Sequence, residues 1–552
     1  MRGSLPTVPT SEPPPGHPRD PRSTGAPTLR DLAALLSLPA PAGAEDVVVT
    51  GATLDSRAVG PGDLYAALPG ARAHGADFAV QAAASGAVAV LTDPAGAERV
   101  VAAGLPALVV PDPRAVLGEV AATVHGHPAR ELTTVGITGT NGKTTTAYLL
   151  EALLAAAGWR TGLIGTVETR IGEERVKSVR TTPESPDLHA LFRRMRDAGV
   201  RACAMEVSSH ALRLHRVDGA VLDVAVFTNL SQDHLDFHRD MEDYFAAKAE
   251  LFTPAHSRCG IVAVDDEWGE RLARTATVPV TTVRTSGGTG WADGAADWHV
   301  ADVRAERPGS TFSLVSHDGR RLRLRCPLPG AFNVSNAALA AVAALEAGVP
   351  AEAVVRGSAS AGAVPGRMQP VTTGAPGEPV VVVDFAHSPD ALERVLATLR
   401  ADTPGRLVVV LGAGGDRDAA KRPGMGATAV EGADVVVVTD DNPRSEEPAA
   451  IRAAVLAGAR AALARGAAAE LLEVPDRRAA VAAGLAACTG GHDTVLLAGK
   501  GHERGQEVAG RVLPFDDAEV AAELLRERAR PLPATDPEAV PAPHSTPRGG
   551  TQ

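Results

Sequence analysis

Short runs of Val, Leu and Ile alternate along this chain with alanine-rich stretches of helical periodicity. Apolar runs of this length, separated by helices, are typical of strands buried on both faces of a parallel sheet. The predicted strands occupy residues 47–50, 87–92, 107–112, 162–167, 202–209, 223–230, 260–266, 380–386, 406–415, 433–443 and 493–503, and a helix is predicted over 333–348. The pattern predicts an α/β fold whose ligands bind beyond the carboxyl ends of the strands.

The hydrophobic pattern falls into three regions between two polar ends. A chain of 552 residues is long enough for about three domains of roughly 100–200 residues each. Both ends are rich in Pro, Ser, Thr and charge, a composition typical of disorder. A Gly- and Pro-containing segment at 361–370 marks a joint. The predicted organisation is a disordered tail at 1–26, a small N-terminal α/β domain at 27–131, a central domain at 132–363, a C-terminal α/β domain at 364–529 and a disordered tail at 530–552.

Composition narrows the class of protein. The formal net charge of −12 argues against a general nucleic-acid binder, which would carry a basic surface. The four cysteines, Cys203, Cys259, Cys326 and Cys488, are far apart and form no CxxC pair, so reduced thiols in the cytoplasm are expected. No apolar run approaches the ~18–20 residues of a membrane-spanning helix, and the Pro-rich N-terminus does not read as a signal peptide. We expect a cytoplasmic protein without stable membrane insertion.

The stretch VGITGTNGKTTT, at 135–146, carries the clearest chemistry. Gly139 and Gly142 let backbone N–H groups approach an anion, and the following helix adds its positive N-terminal dipole. Lys143 offers a point charge to phosphates and Thr144 a hydroxyl to Mg²⁺. The spacing departs from the usual phosphate loop, since Ile137 stands where its first glycine belongs. A glycine-rich turn with an exposed lysine is the alternative interpretation.

Two other uses of nucleotides lack their motifs. A GTPase-type switch would need an NKxD base-reading motif, which is not found. A dinucleotide oxidoreductase would need GxGxxG, and the nearest text, GAGGDR at 412–417, has Arg417 in the last glycine position. The loop therefore predicts phosphate binding without choosing the reaction.

Polar side chains follow the next central strands. Glu206 ends one predicted strand and His234 follows another, and a carboxylate with an imidazole at adjacent strand ends suits Mg²⁺ held against phosphate oxygens. His234 and His238 are four residues apart and would alternatively be zinc ligands on a helix. Glu206 would alternatively be a structural hydrogen-bond acceptor. Lys248, taken alone, reads as a solvated helix lysine.

A series of motifs in one order gives the chain a family resemblance. GITGTNGKTTT, TTPES, MEVSSHAL, FTNLSQDHLDFH, AAK, FNVSNAALA, PGRMQ, VDFAHSPD, GGDRD, DDNPRSEEP and GKGHE lie between 136 and 503. With LDSRAVGPGDLYAALPG at 54–70, they closely resemble the Mur ligases, ATP-dependent enzymes that add amino acids to peptidoglycan precursors. The resemblance implies three domains: the small N-terminal α/β domain, a central P-loop ATPase-like domain with a parallel or mixed sheet, and a C-terminal Rossmann-like domain.

The resemblance also assigns roles to residues. The family's own form of the phosphate loop is GTNGKT, and its lysine matching Lys248 is carbamylated, which turns a cation into a carboxylate-like Mg²⁺ ligand. The implied catalytic residues are Lys143, Lys248, Glu206 and His234, and the implied Mg²⁺ ligands are Thr144, Glu206, His234 and carbamylated Lys248. The implied ATP contacts are Gly139, Thr140, Asn141, Gly142, Lys143, Thr144, Thr145, Asn333, Arg367, Asp384 and His387.

The implied reaction joins an amine to a carboxylate. ATP phosphorylates the D-glutamate γ-carboxylate of UDP-N-acetylmuramoyl-L-alanyl-D-glutamate, and the amine of the incoming amino acid then displaces phosphate. The implied contacts of the nucleotide-sugar substrate are Leu54, Ser56, Thr181, Thr182, Ser208 and Arg216. Many family members have glutamine two residues before that arginine, whereas this chain has Leu214, which leaves one polar contact to the substrate in doubt.

The motif DDNPRSEEP bears on which amino acid is added. Asn442 and Pro443 fit an N-cap and first helical position, with Glu446 and Glu447 in the first turn. Capping does not explain Arg444, whose guanidinium suits a carboxylate such as the distal one of diaminopimelate. In the family, DNPR marks diaminopimelate enzymes. The implied diaminopimelate contacts are Arg417, Asp441, Asn442, Pro443, Arg444, Gly499 and Glu503.

Three alternatives remain beside a monomeric diaminopimelate-adding enzyme. A lysine-adding or folylpolyglutamate synthase-like ligase shares the chemistry, but DNPR and the N-terminal uridine motif disfavour both. A non-catalytic nucleotide-binding regulator would keep the fold, but retention of Lys143, Glu206, His234 and Lys248 argues against it. The meso and LL isomers of diaminopimelate share every group named here.

Overall fold

A computed structural model describes residues 25–70, 72–235, 237–285, 296–306, 309–416 and 418–529. The predicted disordered tails therefore lie outside the described residues, apart from Gly25 and Ala26, and so does Arg417. Each of the three predicted α/β regions contains a sheet of its own, so the predicted α/β class is confirmed. No helix in the described ranges is both long enough and apolar enough to cross a membrane.

The N-terminal region is a parallel four-stranded sheet in the order β1-β2-β3-β4. Its strands are β1 (Gly51–Thr53), β2 (Asp63–Ala67), β3 (Ala89–Thr92) and β4 (Ala107–Val109). Its helices are α1 (Leu29–Leu35), α2 (Ala79–Ala84), α3 (Ala97–Ala102) and α4 (Pro113–Val124), with short 3₁₀ helices at Gly75–Phe78 and Pro128–Glu131. Leu64, Leu91 and Leu108 face α1 and α4 in one buried core.

The predicted strand at 47–50 is wrong. Val48 makes only an isolated bridge to Thr28, and the N–H of Val49 donates to the carbonyl of Pro27. Pro27 and Thr28 supply this partner, and pairing with β2 begins at Gly51.

The central region is a mixed eleven-stranded sheet. Its strands are β5 (Thr133–Thr138), β6 (Thr161–Ile164), β7 (Glu168–Ile171), β8 (Glu174–Lys177), β9 (Ala202–Glu206), β10 (Leu222–Phe227), β11 (Ser257–Ala263), β12 (Val280–Arg284), β13 (Trp298–Glu306), β14 (Gly309–Ser316) and β15 (Arg321–Cys326), and their order is β15-β14-β13-β12-β11-β10-β5-β9-β6-β7-β8. Its helices are α5 (Lys143–Ala156), α6 (Ser185–Asp197), α7 (Ser209–Arg213), α8 (Met241–Ala249), α9 (Glu267–Thr275), α10 (Ala331–Glu346) and α11 (Ala351–Ser360), with a 3₁₀ turn at Glu250–Phe252. β5 lies between β9 and β10, parallel to both, so these three strands end at the same edge of the sheet.

The C-terminal region has a six-stranded sheet and a separate hairpin. Its strands are β16 (Gln369–Val371), β17 (Val380–Asp384), β18 (Leu407–Leu411), β19 (Val435–Val438), β20 (Glu470–Glu473) and β21 (Thr494–Ala498), and the hairpin is β22 (Gly505–Val508) and β23 (Arg511–Pro514). Its helices are α12 (Pro389–Asp402), α13 (Lys421–Gly432), α14 (Pro448–Ala464), α15 (Arg477–Ala486) and α16 (Asp517–Ala529). β21 inserts between β17 and β18, parallel to both, and such a change of strand order opens a crevice at the carboxyl ends.

By their internal contacts, the described residues form two compact units. The first unit extends to Gly362 and holds the N-terminal and central sheets. The second unit begins at Ala363, and the short stretches Ala305–Gly309 and Leu328–Gly330 group with it. The limits of three separate domains stay predictions.

Candidate active site

The phosphate loop connects β5 to α5 in the first unit. Gly142 has φ of 89° and is the N-cap of α5, so Lys143 is the first helical residue. A side chain at Gly142 would collide with the Asn336 amide, which explains the need for glycine. Thr140 and Asn141 are held by the β10–α8 segment, since their N–H groups donate to Asn229 at 2.9 and 3.0 Å. Thr145 is buried in the first turn of the helix.

Two lysine side chains converge on the carbonyl oxygen of Gly139. Lys143 Nζ donates to Gly139 O and to Thr140 O, both at 2.9 Å. Lys248 Nζ, carried by α8, donates to Gly139 O at 2.8 Å and is 1% exposed. Burial and the nearby Lys143 charge hold the pKa of Lys248 well below that of an ordinary lysine. The simple prediction of a solvated Lys248 is therefore wrong.

Glu206 lies beside the loop at the end of β9. Its Oε2 accepts hydrogen bonds from Thr144 Oγ1 at 2.9 Å and Thr166 Oγ1 at 3.1 Å. Its Oε1 accepts from the N–H of Thr166 at 2.7 Å. The carboxylate is 1% exposed. The sequence alone does not predict Thr166 as part of this site. Thr166 follows β6, which lies next to β9 in the sheet, and this adjacency is the signal that places it beside Glu206.

Hydroxyl groups continue from Glu206 along the edge of the sheet. Thr166 Oγ1 lies 3.0 Å from Thr181 Oγ1. Thr182 Oγ1 donates to the carbonyl of Glu206 at 2.9 Å and accepts from the N–H of Ser208 at 3.1 Å. The structure thus brings together three of the predicted nucleotide-sugar contacts next to the predicted metal ligands.

Arg216 lies in a cluster built around Glu184. Arg216 Nη2 is 2.9 Å from Glu184 Oε1, and Arg114, from the N-terminal region, is 3.2 Å from Glu184 Oε2. Burial lowers the pKa of Arg216, and its buried Nε has no hydrogen-bond partner among the described residues. The carbonyl of Leu214 accepts from Arg114 Nη1 at 3.3 Å, so this position contributes its backbone to the cluster.

His234 and His238 lie in the segment between β10 and α8, not on the helix that the zinc alternative needs. His234 packs edge-on to His210, with 4.9 Å between ring centroids. His238 is buried, and its Nε2 is 2.9 Å from Ser209 Oγ. Within the described ranges, no three His, Cys, Asp or Glu side chains are grouped to hold a metal ion, which gives zinc no support.

The remaining predicted contacts of the first unit are spread around it. Asn333 is buried on α10 and accepts a hydrogen bond from Asn336 at 3.1 Å, and Asn336 is the residue that closes on Gly142. Leu54 packs on the N-terminal core, and Ser56 donates to Gln81 at 3.4 Å.

In the second unit, Asp384 ends β17 with both carboxylate oxygens engaged. They accept from the N–H groups of Met368 at 2.7 Å and Ala386 at 2.9 Å. Burial raises the pKa of Asp384 and lowers that of His387, whose Nδ1 is 2.8 Å from the Phe385 carbonyl. The Arg367 guanidinium lies over the Phe385 ring at 4.8 Å. The structure brings the three predicted nucleotide contacts of this unit to one loop cluster.

The predicted N-cap at Asn442 is wrong. α14 begins six residues later, at Pro448, with Glu447 as its N-cap. The side chain of Asn442 instead points to a buried polar cluster at the ends of β19 and β21. Its Nδ2 donates to Glu503 Oε2 at 2.7 Å, and its Oδ1 accepts from Lys500 Nζ at 3.1 Å. These long-range partners replace the helix N–H groups that the local sequence offered.

Asp441, Gly499 and Arg444 complete this cluster. Lys500 Nζ lies 3.3 Å from Asp441 Oδ1, and a Cβ at Gly499 would come within 2.8 Å of Asp441 Oδ2. Arg444 has φ of 54°, donates to Gly415 O at 2.6 Å and lies 3.3 Å from Glu507. Pro443 is buried between Asn442 and Arg444. Lys500 lies in the motif GKGHE, and the sequence alone predicts no role for it.

Comparison with known proteins places these residues in a family. The Mur ligase middle domain matches residues 137–344, the Mur ligase glutamate ligase domain matches 366–501, and the Mur ligase family catalytic domain matches 48–125. A UDP-N-acetylmuramoyl-L-alanyl-D-glutamate–2,6-diaminopimelate ligase of Streptomyces coelicolor is 56% identical over 93% of this chain and 99% of its own. A UDP-N-acetylmuramyl-tripeptide synthetase of Leifsonia xyli is 48% identical over 90% of this chain and 96% of its own.

Solved structures agree with the sequence comparison. A UDP-N-acetylmuramoyl-L-alanyl-D-glutamate–2,6-diaminopimelate ligase is 31% identical, with a TM-score of 0.66 over 92% of this chain and 100% of the other. A MurF ligase from Thermotoga maritima in complex with ADP is 19% identical, with a TM-score of 0.54 over 88% of this chain and 99% of the other, which shows a shared fold.

Proposed function

The chain belongs to the Mur ligase family, and from that membership we propose that it adds diaminopimelate to the D-glutamate γ-carboxylate of UDP-N-acetylmuramoyl-L-alanyl-D-glutamate. It has the predicted Mur ligase architecture and is an ATP-dependent ligase that acts in peptidoglycan precursor synthesis. One observation carries the proposal: Lys143 and Lys248 meet at the phosphate loop, within a chain that matches diaminopimelate ligases along nearly its whole length.

The chemistry must bring two anions together. A carboxylate and a triphosphate about 4 Å apart repel by roughly 4 kcal/mol per pair of unit charges at an effective dielectric near 20. Lys143 and the N-terminal end of α5 supply positive charge at the phosphate loop and offset this repulsion. The γ-carboxylate attacks the γ-phosphorus, ADP leaves, and the resulting acyl phosphate accepts the amine; phosphate then leaves from the tetrahedral intermediate.

The donor chemistry near Glu206 fits Mg²⁺. Thr144 and Glu206 present hard oxygen atoms 2.9 Å apart beside the phosphate loop. We assign Thr144, Glu206, His234 and carbamylated Lys248 as its ligands. When bound, Mg²⁺ supplies positive charge to the phosphate oxygens as they transfer. Thr166 holds Glu206 by two hydrogen bonds and so fixes the direction in which the carboxylate points.

Carbamylation of Lys248 is chemically reasonable at this position. The reaction with CO₂ needs an uncharged amine, and burial beside Lys143 lowers the pKa of Lys248 toward that form. The product is an anion, which the neighbouring Lys143 charge stabilises. A buried lysine that would otherwise repel Lys143 thereby becomes its partner.

We propose that the remaining predicted residues bind the three substrates. Thr181, Thr182, Ser208 and Arg216 bind the muramoyl-peptide, and Leu54 and Ser56 the uridine end. Gly139, Thr140, Asn141, Gly142, Thr145, Asn333, Arg367, Asp384 and His387 bind ATP. Asp441, Asn442, Pro443, Arg444, Gly499 and Glu503 bind diaminopimelate, together with Arg417. Glu503 takes the distal ammonium and Arg444 the distal carboxylate.

We further propose that the enzyme works as a monomer in the cytoplasm, without nucleic acid and without membrane insertion. The four cysteines are far apart in the sequence and form no CxxC pair, which favours a reducing compartment. The net charge of −12 disfavours nucleic acid as a partner.

To test this function, purified protein is incubated with ATP, Mg²⁺ and UDP-N-acetylmuramoyl-L-alanyl-D-glutamate. Parallel reactions contain meso-diaminopimelate, LL-diaminopimelate or lysine, and the amide product is measured. We expect an amide product with a diaminopimelate isomer and little with lysine, because a site built for a second charged head group rejects a ligand that lacks its carboxylate. A reaction without the UDP-sugar is the control. Unchanged ATP cleavage in that control, with no amide in any reaction, would contradict the proposal.

A further inference from the structure

Lys500 is a fully buried cation in the turn that follows β21. Its side chain is 0% exposed, so a ligand cannot reach it directly from solvent. Its Nζ lies 3.3 Å from Asp441 Oδ1, 3.1 Å from Asn442 Oδ1 and 3.7 Å from Glu503 Oε2. A buried cation is costly unless it is paired, and here one ammonium meets two carboxylates and an amide.

The contact with Lys500 fixes the orientation of the Asn442 amide. A side-chain amide has one acceptor oxygen and one NH₂ donor group. The Asn442 oxygen receives Lys500 Nζ and also the N–H of Glu507, at 2.9 Å. The NH₂ group is therefore left for Glu503, to which it donates at 2.7 Å. Asn442, which holds the Glu503 carboxylate, is thus oriented by Lys500 together with the N–H of Glu507.

The same arrangement reaches Arg444. The N–H of Glu507 donates to Asn442. The carboxylate of Glu507 lies 3.3 Å from the Arg444 guanidinium. The N–H of Arg444 in turn donates to the carbonyl of Glu507 at 2.9 Å. Glu503 and Arg444, which have opposite charges, are thus both connected to Lys500 through Asn442.

We propose that Lys500 is a positioning residue that sets amino-acid specificity, by holding Asn442 and the Glu503 carboxylate in the arrangement that meets the distal ammonium of diaminopimelate. The inference rests on the proposed function, which makes Glu503 and Arg444 diaminopimelate contacts. Lys500 itself touches no substrate. Without the Lys500 charge, the buried Asp441 carboxylate and the partly exposed Glu503 carboxylate have no cation between them, and the simplest relief is protonation of Glu503, which then no longer attracts an ammonium group.

The experiment compares Lys500→Met with the unmodified enzyme in steady-state kinetics. We expect KM for diaminopimelate to rise at least tenfold, while KM for ATP and for the UDP-sugar substrate stays within twofold. We also expect the preference for diaminopimelate over lysine to fall. Equal changes in all three KM values, or an unchanged KM for diaminopimelate, would overturn the proposal.

The pH profile separates positioning from a general structural defect. Burial and Asp441 already raise the pKa of Glu503, and Lys500, Asn442 and Arg444 oppose that rise, with Arg477 the other nearby cation. Removal of Lys500 raises this pKa further, and the ammonium binds only the ionised carboxylate. KM for diaminopimelate in Lys500→Met should therefore fall as pH rises, over a range in which the unmodified enzyme changes less. Parallel profiles would count against the proposal.

A matched control and a mutant cycle keep the test decisive. Arg452→Met removes another mostly buried cation from this unit, one held by Asp440 and Glu473, and should leave KM for diaminopimelate unchanged. Should Lys500→Met fail to fold, Lys500→Gln replaces it with the same expected outcomes. In a cycle with Glu503→Gln, the double variant should be no worse than Glu503→Gln alone, and additive losses would contradict the proposal.

Assays of the unmodified enzyme distinguish failure of the proposed function from failure of the proposed role of Lys500. Absence of diaminopimelate ligation in it would contradict the proposed function. Normal ligation in it, with an unselective effect of Lys500→Met, would contradict only the role of Lys500.

Discussion

The two polar clusters at strand ends, one around the phosphate loop and one around Lys500, hold their lysines differently. At the end of β5, the hydrogen bonds of Lys143 and Lys248 go to the backbone carbonyls of Gly139 and Thr140. At the end of β21, those of Lys500 go to the side chains of Asp441 and Asn442. A carbonyl orients an ammonium group without cancelling its charge, whereas a carboxylate cancels it.

The contrast matches the charge of the ligand that we propose for each cluster. A triphosphate and a carboxylate bring several negative charges. The first cluster therefore benefits from lysine charges that backbone carbonyls orient but do not neutralise. The head group of an amino acid is a zwitterion, so the second cluster needs both signs held at a fixed separation. We expect loss of a lysine from the first cluster to remove catalysis, and loss of the Lys500 charge from the second to disturb its neighbours.

The largest expected effect is on the first cluster. Lys143→Ala should lower kcat by about 10³-fold, because it removes a charge that stabilises the transferring phosphoryl group. The fold should persist, with an unchanged circular dichroism spectrum. Lys177→Ala, on the exposed edge strand β8, is the control and should keep full activity. Normal turnover of Lys143→Ala would remove this lysine from the reaction.

The next effect is on stability in the second unit. Arg477 and Asp517 form a fully buried pair, with contacts of 2.8 and 2.7 Å, and Arg477 also donates to the carbonyl of Ala498 in β21. Asp517→Asn leaves the guanidinium buried without its anion and should cost about 3–5 kcal/mol. Hydrogen exchange of the β21 amides measures this loss in the free energy of unfolding.

The exposed pair of Arg478 and Glu523 is the matched control. Its side chains are 43% and 54% exposed, and Glu523→Gln should cost no more than about 1 kcal/mol. Similar losses in Asp517→Asn and Glu523→Gln would mean that burial of charge does not govern the stability of this unit.

A smaller effect, about 10–100-fold in activity, is expected when CO₂ is removed from the buffer, because an uncarbamylated Lys248 supplies no metal ligand. Added bicarbonate should restore activity. Lower pH favours the charged amine, which does not react with CO₂, so reactivation should weaken as pH falls. Lys248→Met should not respond to bicarbonate. Activity that is indifferent to CO₂ would leave Lys248 as a structural cation.

The smallest effect expected is on Arg444. Arg444→Ala should raise KM for diaminopimelate about tenfold, a loss of about 1.4 kcal/mol, and leave KM for ATP nearly unchanged. Arg444→Lys keeps the charge without the planar fork and should recover only part of the loss. Arg511→Ala, on the exposed strand β23, is the control. Equal effects on both KM values would exclude Arg444 from the pocket.

Local sequence was sufficient to predict the phosphate loop, whose signal lies within a few residues. The phosphate loop, its two glycines, Lys143 and Thr144 form one strand–turn–helix unit, and the prediction located them correctly on β5 and α5. The same local reasoning failed at Asn442, because a good N-cap sequence met stronger partners from the end of β21. It also failed at 47–50, where the backbone pairs with Pro27 instead of a neighbouring strand.

Alternation of apolar and helical segments determined the α/β class, and the order of motifs determined the family. Tertiary structure alone decided that Thr166 holds Glu206, that Lys248 is buried beside Lys143, and that Lys500 joins Asp441 to Glu503. The reason is physical: a periodic pattern fixes which face of an element is buried, but the partners of a buried charge come from whichever strand the sheet places next to it, 40 to 109 residues away in the chain for Thr166 and Lys248.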